Sequence, residues 1–452
     1  MVVVVFCFTN ACDRLVYILI IMSRTLVLLL YNCLLPLFFI VAFPAWLIKM
    51  WKRGGYGTGL LERFGRFRVS SADEPKGVVY IHAVSVGEVL IAQKLILAWL
   101  EKYPDERIVL AATTSTGLIV AKEKSPESVR VIYSPLDFGF ILRAVFRRFC
   151  PRQIVLIEAE AWPNLLNLAR KRKIPVAMVN ARLSQRSEAR FHKVAGLVNP
   201  LFEMVQLFAV QNTTDAERFK KLGISADKIH VTGSIKFDPS DGVPPQRREE
   251  FTDQLSDFGS GKPVVLAAST HPGEEKAIGE AILKSGEDVI YLVIPRHAER
   301  RSVVSQDLSS IGYEVCMRSD YKRPEQPNKA CLLADTTGEL RDWTAHADLV
   351  IIGKSWLSEG GQNPAEAIIA GVPLICGPNM GNFEPLITTL REVNGVEVLG
   401  SVDDLSEVVS DLLNDPSRCE TMIESSRKVL AQHENAVIKT LDLVYLKASV
   451  MS

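Results

Sequence analysis

The chain has 452 residues, which is too long for one ordinary domain and predicts two or three. Basic and acidic residues number 52 each, so the formal net charge is zero and gives no indication of a polyanionic partner such as nucleic acid. The eight cysteines form no C-x-x-C pair and have no histidine at metal-ligand spacing, which indicates small core residues in a reducing compartment.

The N-terminal part of the chain is apolar. Residues 1–21 form an extension to which we assign no function, and translation starts at either Met1 or Met22. From Thr25 to Ile48 no residue is charged, and 24 residues are enough to cross a bilayer as a helix. Three residues weaken this span and leave a helix in the membrane interface as the alternative: Asn32, Pro36 and Pro44. Three cationic residues follow it: Lys49, Lys52 and Arg53. By the positive-inside rule, residues 22–50 are predicted to anchor a cytoplasmic protein.

Beyond residue 70, short β-rich runs alternate with helical patterns. The first series of predicted strands is Val78–His82, Arg107–Ala112, Val129–Tyr133, Gln153–Ile157, Pro175–Asn180, Leu207–Gln211 and Lys228–Thr232. The second series is Pro263–Ala268, Val289–Ile294, Tyr313–Met317, Cys331–Ala334, Asp348–Ile352 and Pro373–Ile375. Continuous apolar strands separated by helices predict parallel sheets that are covered on both faces.

The polar segment Asp238–Arg248 separates the two series and is the predicted linker. The predicted architecture is α/β, with two doubly wound, Rossmann-like domains over residues 51–240 and 249–452 and a cleft between them. The stretch Asp415–Lys447 is predicted as a long amphipathic terminal helix. In the GT-B fold such a helix crosses back to the first domain, and packing alone explains the pattern equally well. Ligands of such sheets bind beyond the carboxyl ends of the strands.

Candidate catalytic residues follow three strands of the first series. Glu88 begins a helix near Val89, where a carboxylate accepts a proton if burial raises its pKa, although the helix dipole opposes this. An ordinary first-turn glutamate is the alternative. Glu158 and Glu160 follow the fourth strand, where paired carboxylates are costly unless they meet cations or ligand hydroxyls. Lys236 lies beside the linker, in reach of a phosphate or carboxylate of a ligand.

The second series carries candidate anion-binding groups. Ser269-Thr270-His271-Pro272-Gly273-Glu274-Glu275 opens a helix, Arg296-His297 ends a strand and suits phosphate, and Thr337-Gly338-Glu339 ends another. Gly360-Gly361 precedes a short helix near Pro364, and we expect a ligand to approach this glycine backbone. Glu366 lies one turn into that helix, within reach of a sugar hydroxyl. This arrangement resembles the donor-binding loop of GT-B glycosyltransferases and related epimerases.

Several motifs of phosphate chemistry are missing from the sequence. It has no D-x-D at a strand end, no G-x-x-x-x-G-K-[ST] and no G-x-G-x-x-G. We therefore predict a transfer without metal or cofactor, in which basic side chains hold a monophosphate leaving group.

Taken together, the motifs resemble those of one family. H-A-V-S-V-G-E, E-A-E-A-W-P-N, N-A-R-L-S, G-S-I-K-F-D, P-R-H, G-E-L and G-G-Q-N-P-A-E-A occur in the order found in the 3-deoxy-D-manno-oct-2-ulosonic acid (Kdo) transferases of lipopolysaccharide synthesis. The resemblance runs from about Met22 to the end. It implies a GT-B enzyme on the cytoplasmic face of the bacterial inner membrane, which transfers Kdo from CMP-Kdo to the 6′-hydroxyl of a tetra-acylated lipid A precursor with inversion.

The resemblance also implies residue roles. Glu88 is the expected proton acceptor, and Glu158 and Lys236 are the expected transition-state stabilisers. The residues expected to bind CMP are Arg296, His297, Thr337, Gly338, Glu339, Asn363, Pro364, Ala365 and Glu366. The phosphates of the acceptor also offer a partner for the basic residues clustered between positions 143 and 193.

The sequence departs from the family pattern at four positions, which bear on acceptor range and donor affinity: Val84, Ala159, Ala161 and Gln362. Two other kinds of protein remain as alternatives. One is another GT-B enzyme, either a UDP-sugar transferase or a 2-epimerase. The other is an inactive, membrane-anchored lipid-binding protein. The motifs do not determine how many Kdo residues are added in succession.

Overall fold

The computed structural model describes residues 11–52, 59–68, 70, 72–240 and 245–451. The strands in these ranges are β1 (Val79–Ala83), β2 (Ile108–Ala112), β3 (Arg130–Tyr133), β4 (Gln153–Ile157), β5 (Val176–Ala181), β6 (Leu207–Val210), β7 (Ile229–Val231), β8 (Val264–Thr270), β9 (Ile290–Pro295), β10 (Glu314–Met317), β11 (Ala330–Leu333), β12 (Leu349–Ile352), β13 (Leu374–Cys376) and β14 (Glu397–Val398). The predicted strands agree with these to within two residues at each end, and only the short edge strand β14 was not predicted.

The helices in the same ranges are α1 (Ala11–Lys52), α2 (Val86–Lys102), α3 (Ser115–Lys124), α4 (Gly139–Phe149), α5 (Pro163–Lys171), α6 (Gln185–Lys193), α7 (Ala195–Phe202), α8 (Thr213–Lys221), α9 (Glu249–Ser256), α10 (Glu274–Ser285), α11 (Arg301–Ser310), α12 (Leu340–Thr344), α13 (Ala365–Ala370), α14 (Leu386–Glu392), α15 (Leu405–Asn414), α16 (Pro416–Ala431) and α17 (Ala436–Met451). Short 3₁₀ turns lie between several of them.

The first seven strands form one parallel sheet in the order β3-β2-β1-β4-β5-β6-β7. Its strands are almost wholly apolar because helices cover both faces: α2, α3 and α17 pack on one face, and α4, α5 and α8 on the other. The order of the strands reverses between β1 and β4. In a doubly wound sheet this reversal opens a crevice at the carboxyl ends of the strands.

The other seven strands form a second parallel sheet in the order β10-β11-β9-β8-β12-β13-β14. Helices α10, α11 and α15 cover one of its faces. The order reverses between β8 and β12, which places the second crevice there. Two doubly wound, Rossmann-like sheets were predicted, and this prediction is confirmed.

The described residues divide into two compact units. One comprises residues 11–240 and 435–451, and the other comprises residues 245–434. The segment predicted as the linker, Asp238–Arg248, spans this division, and its residues 241–244 lie outside the described residues.

The prediction of one long terminal helix was wrong, because the chain forms two helices there. Helix α16 ends at Ala431 and α17 begins at Ala436, and between them Asn435 adopts the left-handed conformation with φ 58°. Asp238 accepts hydrogen bonds from the backbone N–H groups of Asn435 (3.0 Å) and Val437 (2.9 Å), which fixes the start of α17. Helix α17 then packs within the first unit, where the rings of Tyr103 and Tyr445 stack 4.0 Å apart.

The N-terminal segment is the single helix α1. Its residues Arg24–Pro44 are long and apolar enough to span a membrane, with a mean hydropathy of 2.5. Pro36 and Pro44 lie inside the helix and do not end it. Of the apolar extension, residues 11–21 belong to α1, and residues 1–10 lie outside the described residues.

Candidate active site

Glu88 lies in the first turn of α2, directly beyond β1 and beside the reversal point of the first sheet. The helix begins at Val86, three residues before the predicted start, because Ser85 caps it. The Ser85 hydroxyl donates to Glu88 Oε1 (3.0 Å) and accepts from the Glu88 backbone N–H (3.3 Å). The Val84 backbone N–H donates to Glu88 Oε2 (2.8 Å). This capping box holds the carboxylate, which belongs to a residue only 7 % exposed, at the strand end.

The surroundings of Glu88 tune its acidity in opposite directions. Burial raises the pKa of Glu88, the hydrogen bonds from Val84 and Ser85 lower it, and the carboxylates of Glu158 and Glu160 raise it. The net pKa of Glu88 is about 7. A carboxyl group with this pKa is about half ionised near neutral pH and is suited to accept a proton. Glu88 is therefore a first-turn glutamate that takes part in capping its helix, and it is also a carboxyl group able to accept a proton near neutral pH.

Glu158 and Glu160 follow β4, the strand that pairs with β1. Glu158 has a φ of 60°, a conformation that L-residues adopt rarely and that occurs at constrained functional turns. Burial and the neighbouring Glu158 carboxylate raise the pKa of Glu160. Because both carboxylates also act on Glu88, three acidic groups share the reversal point of the first sheet.

Lys236 reaches the same edge by a bend in the chain. It lies in the 3₁₀ turn Ile235–Phe237, beyond the edge strand β7. Asn180 Oδ1, at the end of β5, accepts from the Ile235 backbone N–H (2.9 Å), and Lys94 Nζ of α2 donates to the Ile235 carbonyl (3.2 Å). The turn is thereby drawn back across the sheet edge toward α2.

The pKa of Lys236 reports its surroundings. Burial and the cation of Arg182 lower the pKa of Lys236, and Glu158 raises it, with a result of about 8. The three residues expected to be catalytic, Glu88, Glu158 and Lys236, come from separate motifs and lie on one sheet edge.

Two buried residues of this edge were not predicted as site residues. His82, at the end of β1, is 3 % exposed, and its Nδ1 lies 3.2 Å from Ser134 Oγ. Burial lowers the pKa of His82 to about 4, so its ring is neutral. Asp137 accepts from the backbone N–H groups of Asn164 and Leu165 (2.9 Å each) and so caps α5, which follows the Glu158–Glu160 segment. His82 opens the H-A-V-S-V-G-E motif, whereas no local pattern distinguishes Asp137.

The basic cluster of the first unit is partly accounted for by internal ion pairs. Arg148 pairs with Glu74 at 2.9 Å, and Arg152 pairs with Glu106. On α6, Arg190 and Lys193 are exposed. Arg143, Arg147 and residues 170–173 of the cluster are exposed as well. All of these cations are candidates for contact with the phosphates of a ligand or membrane.

In the second unit, Glu274 and Glu275 organise the reversal point of the sheet. Glu274 is 1 % exposed and accepts from the backbone N–H groups of three successive residues after β12: Lys354 (2.5 Å), Ser355 (3.0 Å) and Trp356 (3.3 Å). Glu275 is fully buried and pairs with Arg300 at 2.6 Å. Burial of these two carboxylates is offset by their hydrogen bonds and ion pair, and they fix the loops that carry the anion-binding candidates.

Arg296 and His297 are exposed and follow β9. The Arg296 backbone N–H donates to the Thr270 carbonyl (3.0 Å), which ties this segment to the end of β8. The rings of His271 and His297 lie 6.2 Å apart. Burial lowers the pKa of His271, the cation of Lys354 lowers it further, and the carboxylate of Glu274 opposes this, so the His271 ring lies close to both a cation and a carboxylate.

Thr337, Gly338 and Glu339 precede α12, six residues or fewer after the end of β11, so the prediction that they end a strand was wrong. Thr337 and Gly338 are exposed. The Glu339 carboxylate accepts from Arg318 (3.5 Å) and lies 3.7 Å from Arg248. A cavity of about 430 Å³ adjoins this segment and is lined by Gln246, Arg248, Gly338, Leu340, Arg341, Asp342 and Glu366.

The structure explains Gly360-Gly361 differently from the sequence. Both have positive φ, 108° and 70°. A Cβ on Gly360 would lie 2.4 Å from Asn382 Nδ2, and one on Gly361 would lie 2.3 Å from Met380 Sδ. Their backbone N–H groups donate to the carbonyls of Asn379 and Lys354. The glycines are therefore required by the packing of the protein itself, and the approach of a ligand to their backbone stays a prediction.

The residues after these glycines form the start of α13. Asn363 is exposed, and its Oδ1 accepts from the Ala365 backbone N–H (3.2 Å), while Pro364 and Ala365 are buried. Burial raises the pKa of Glu366, and Arg341, Asn363 and Arg296 oppose this. Because the charge of Arg296 affects the pKa of Glu366, these two side chains lie near each other. Two of the predicted CMP-binding segments are thus close in space. Gln362, one of the departures from the family pattern, lies 3.4 Å from His271 Nε2.

Among the residues that the structure describes, no three histidine, cysteine, aspartate or glutamate side chains are grouped as metal ligands.

Comparison with known proteins gives consistent matches. The family profile described as "3-Deoxy-D-manno-octulosonic-acid transferase (kdotransferase)" matches residues 58–239. The 3-deoxy-D-manno-octulosonic acid transferase of Haemophilus influenzae is 32 % identical over 401 residues, 87 % of this chain and 93 % of that protein. The corresponding Bordetella pertussis protein is 31 % identical over 409 residues, with coverages of 87 % and 94 %.

Solved structures match the fold at lower identity. UDP-GlcNAc 2-epimerase from Neisseria meningitidis, bound to UDP-GlcNAc, has a TM-score of 0.52 at 15 % identity. The match covers 83 % of this chain and 100 % of the epimerase chain. Anabaena Alr3699/HepE in complex with UDP has a TM-score of 0.51 at 14 % identity, with coverages of 82 % and 100 %. At such identities the likeness concerns the fold alone, and it confirms the predicted GT-B class.

Proposed function

Because this chain belongs to the family of 3-deoxy-D-manno-octulosonic acid transferases, we propose that it transfers Kdo from CMP-Kdo to a tetra-acylated lipid A precursor, with inversion at the anomeric carbon. The observation that carries this proposal is the carboxyl edge of the first sheet. A buried carboxyl group with a pKa of about 7 is grouped there with two further carboxylates and a lysine whose pKa is about 8.

In the proposed reaction, Glu88 accepts the proton of the acceptor's 6′-hydroxyl while that oxygen bonds to the anomeric carbon of Kdo. The bond between this carbon and the phosphate oxygen of CMP breaks, and CMP leaves as a monophosphate. Attack from the face opposite CMP inverts the anomeric configuration. The capping box holds the Glu88 carboxylate in place before the acceptor arrives, so little reorganisation accompanies proton transfer.

Glu158 and Lys236 act on the charge that develops in the transition state. Positive charge grows on the sugar as CMP departs, and a carboxylate such as Glu158 stabilises it. Negative charge grows on the leaving phosphate or resides on the Kdo carboxylate, and Lys236 stabilises it. Since the pKa of Lys236 is about 8, its side-chain amine is mostly protonated at pH 7.

The second unit supplies the CMP site of this proposal. Arg296 and His297 hold the phosphate, and the segments Thr337-Gly338-Glu339 and Asn363-Pro364-Ala365-Glu366 hold the nucleoside, with Glu366 accepting from a ribose hydroxyl. The cation of Lys354 acts on His271, whose ring lies 6.2 Å from that of His297, so Lys354 also lies near this phosphate site. The proposal assigns the neutralisation of the leaving phosphate to these side chains, without a divalent cation or cofactor.

We place the enzyme on the cytoplasmic face of the bacterial inner membrane, where the N-terminal helix α1 anchors it beside its lipid acceptor. The apolar span Arg24–Pro44 and the cationic residues that follow it support this location.

The test is direct incubation of the purified full-length chain with CMP-Kdo and the tetra-acylated precursor, followed by mass spectrometry of the lipid. We expect a mass gain of one or more Kdo residues and its loss in Glu88→Gln. Thermal-shift measurements separate the alternatives, since CMP and not UDP should stabilise the protein. Stabilisation by UDP alone would favour a UDP-sugar enzyme, and absence of product despite CMP binding would favour an inactive lipid-binding protein.

A further inference from the structure

The N-terminal helix α1 lies along the first unit for about 20 residues. Within the span Arg24–Phe43, the residues that are buried or partly buried recur every three or four positions: Arg24, Val27, Leu28, Tyr31, Leu35, Phe39, Ala42 and Phe43. Residues with this spacing share one face of a helix. At 1.5 Å per residue, this covered face is about 30 Å long, which is the thickness of the hydrocarbon core of a bilayer.

Polar contacts in the middle of the span tie the helix to the catalytic unit. Asn32 Nδ2 donates to Asn164 Oδ1, and Asn164 Nδ2 donates back to Asn32 Oδ1, both at 2.9 Å. Asn164 Nδ2 also donates to the Asp137 carbonyl (2.6 Å), and the Tyr31 hydroxyl hydrogen-bonds to the Asp137 carboxylate. Two residues of this network cap or begin α5, so it belongs to the unit's interior.

Apolar contacts continue the same face of α1 toward its C-terminal end. The rings of Phe39 and Phe138 meet edge to face with their centroids 5.7 Å apart. Helix α7, whose sequence is mostly apolar, also packs against α1. The helix is thus in contact with the unit both at the centre and toward one end of the apolar span.

The opposite face of α1 is a broad exposed apolar surface. Its side chains are exposed by 53–80 %, and they include Leu26, Leu29, Leu34, Leu37, Phe38, Ile40, Val41 and Ile48. On α7, Leu197 is 42 % exposed, and Val194, just before α7, is 43 % exposed. The exposed cations Arg190 and Lys193 lie on α6, directly before α7. Apolar side chains next to cations match the acyl and phosphate layers of a lipid surface.

These contacts conflict with a helix that crosses the bilayer. If α1 kept them while spanning, Asp137, Asn164 and the start of α5 would lie at the depth of the hydrocarbon core, where polar groups and irregular backbone facing lipid are strongly disfavoured. A helix parallel to the membrane has no such conflict, because its covered face remains toward the protein and water while its apolar face enters the lipid.

We propose that α1 lies in the plane of the membrane, with its exposed face embedded in one leaflet and both ends of the apolar span on the side of the catalytic unit. This goes beyond the proposed function, which requires only that the enzyme reach its lipid. It also selects between the two placements that the sequence left open, in favour of the interface.

The test uses variants of the full-length chain that each carry one introduced cysteine, together with a maleimide that does not cross membranes. Ser23→Cys reports the N-terminal end of the span, Gly54→Cys the C-terminal end, and Glu101→Cys, an exposed position on α2, the catalytic unit. The background replaces five native cysteines with serine, namely Cys7, Cys12, Cys33, Cys150 and the partly exposed Cys419, and retains the buried Cys316, Cys331 and Cys376. Labelling is compared in intact spheroplasts and inverted inner-membrane vesicles, with total thiol measured after detergent.

We expect all three positions to react in inverted vesicles and none in spheroplasts. Reaction of Ser23→Cys in spheroplasts, with Glu101→Cys protected, would show that the helix crosses and would overturn the proposal. Protection of Ser23→Cys in both preparations would also overturn it, since that end would then be embedded.

A depth measurement provides a second readout that does not depend on sidedness. Leu26→Cys, Leu37→Cys and Ile48→Cys each carry a bimane probe on the exposed face, and nitroxide lipids quench them in reconstituted vesicles. In-plane placement predicts that the three probes lie within a few Å of the same depth. A spanning helix predicts Leu37 near the bilayer centre and the two end probes about 15 Å from it, on opposite sides.

Discussion

Removing the Ser85 hydroxyl should shift one limb of the pH profile of the enzyme and leave the other in place. Under the proposed mechanism, Glu88 must be ionised and Lys236 protonated, so kcat/KM should follow a bell-shaped curve with midpoints at about 7 and about 8. The Ser85 hydroxyl donates to Glu88 Oε1 and so favours the ionised form. Ser85→Ala removes that donation, and the pKa of Glu88 should rise.

The size of the shift follows from the contacts around the carboxylate. A hydrogen bond to a charged group contributes about 1.5–3 kcal/mol. The lower value applies here, because the bond is of ordinary length, 3.0 Å, and the backbone N–H groups of Val84 and Ser85 still donate to the carboxylate. At about 1.4 kcal/mol per pKa unit, the acid limb should move up by about one unit. At pH 6, kcat/KM should fall about tenfold, whereas at pH 9.5, where Lys236 controls the rate, it should remain within about twofold.

The assay is an initial-rate measurement between pH 5.5 and 9.5 with pre-made CMP-Kdo, together with thermal unfolding. Thr114→Ala is the matched control, because Thr114 caps α3 in the same way through the Gly117 N–H (3.1 Å) but makes no hydrogen bond to Glu88. Both variants should lose about 1 kcal/mol of stability, and only Ser85→Ala should move the acid limb. A folded Ser85→Ala protein with an unchanged acid limb would refute this reasoning. Near-normal turnover of Glu88→Gln, expected to lose about 10²- to 10⁴-fold, would remove Glu88 as the base altogether.

Four other predictions follow from the proposed roles. Lys236→Ala should lower kcat by on the order of 10²-fold with little change in the KM for CMP-Kdo, because its charge acts on the transition state; a change in KM alone would reassign it to ground-state binding. Arg296→Ala should mainly raise the KM for CMP-Kdo, whereas Arg391→Ala, which removes another exposed arginine of the same unit, should not. Excess EDTA should leave turnover on pre-made CMP-Kdo unchanged, and a strict magnesium requirement in that assay would contradict the metal-free mechanism. Glu274→Gln should weaken three hydrogen bonds to the loop after β12. The free energy of unfolding should fall by about 1–3 kcal/mol and the midpoint of thermal unfolding by several degrees, whereas Glu280→Gln, on the exposed side of α10, should leave that midpoint unchanged.

The sequence by itself determined the two doubly wound sheets and most of their strand boundaries. Strand and helix periodicity are local properties, and continuous apolar runs such as Ile154–Ile157 occur because both faces of a parallel strand are buried. The carboxyl ends of parallel strands share one edge, so the positions of Glu88 and Glu158 beyond β1 and β4 also followed from local patterns.

The tertiary structure alone decided the details that depend on contacts between distant residues. Lys236 reaches the edge of β1 and β4 only because Asn180 and Lys94 draw its turn back across the sheet. Asp137 caps α5 from 27 residues away, and no neighbouring residue in the sequence indicates this contact. Gly360-Gly361 have the same local pattern whether or not the protein fills the space that a Cβ would need, and only the positions of Asn382 and Met380 show that it does.

The same reason applies to the two ends of the chain. The terminal helical pattern continues without an obvious stop, and the break before α17 is set by Asp238, almost 200 residues earlier in the chain. The apolar run of α1 is equally compatible with crossing a bilayer and with lying on it. The proposed placement in the membrane plane rests on the pairing of Asn32 with Asn164, 132 residues away. A hydrogen bond between such distant residues leaves no periodic trace in the sequence around either partner.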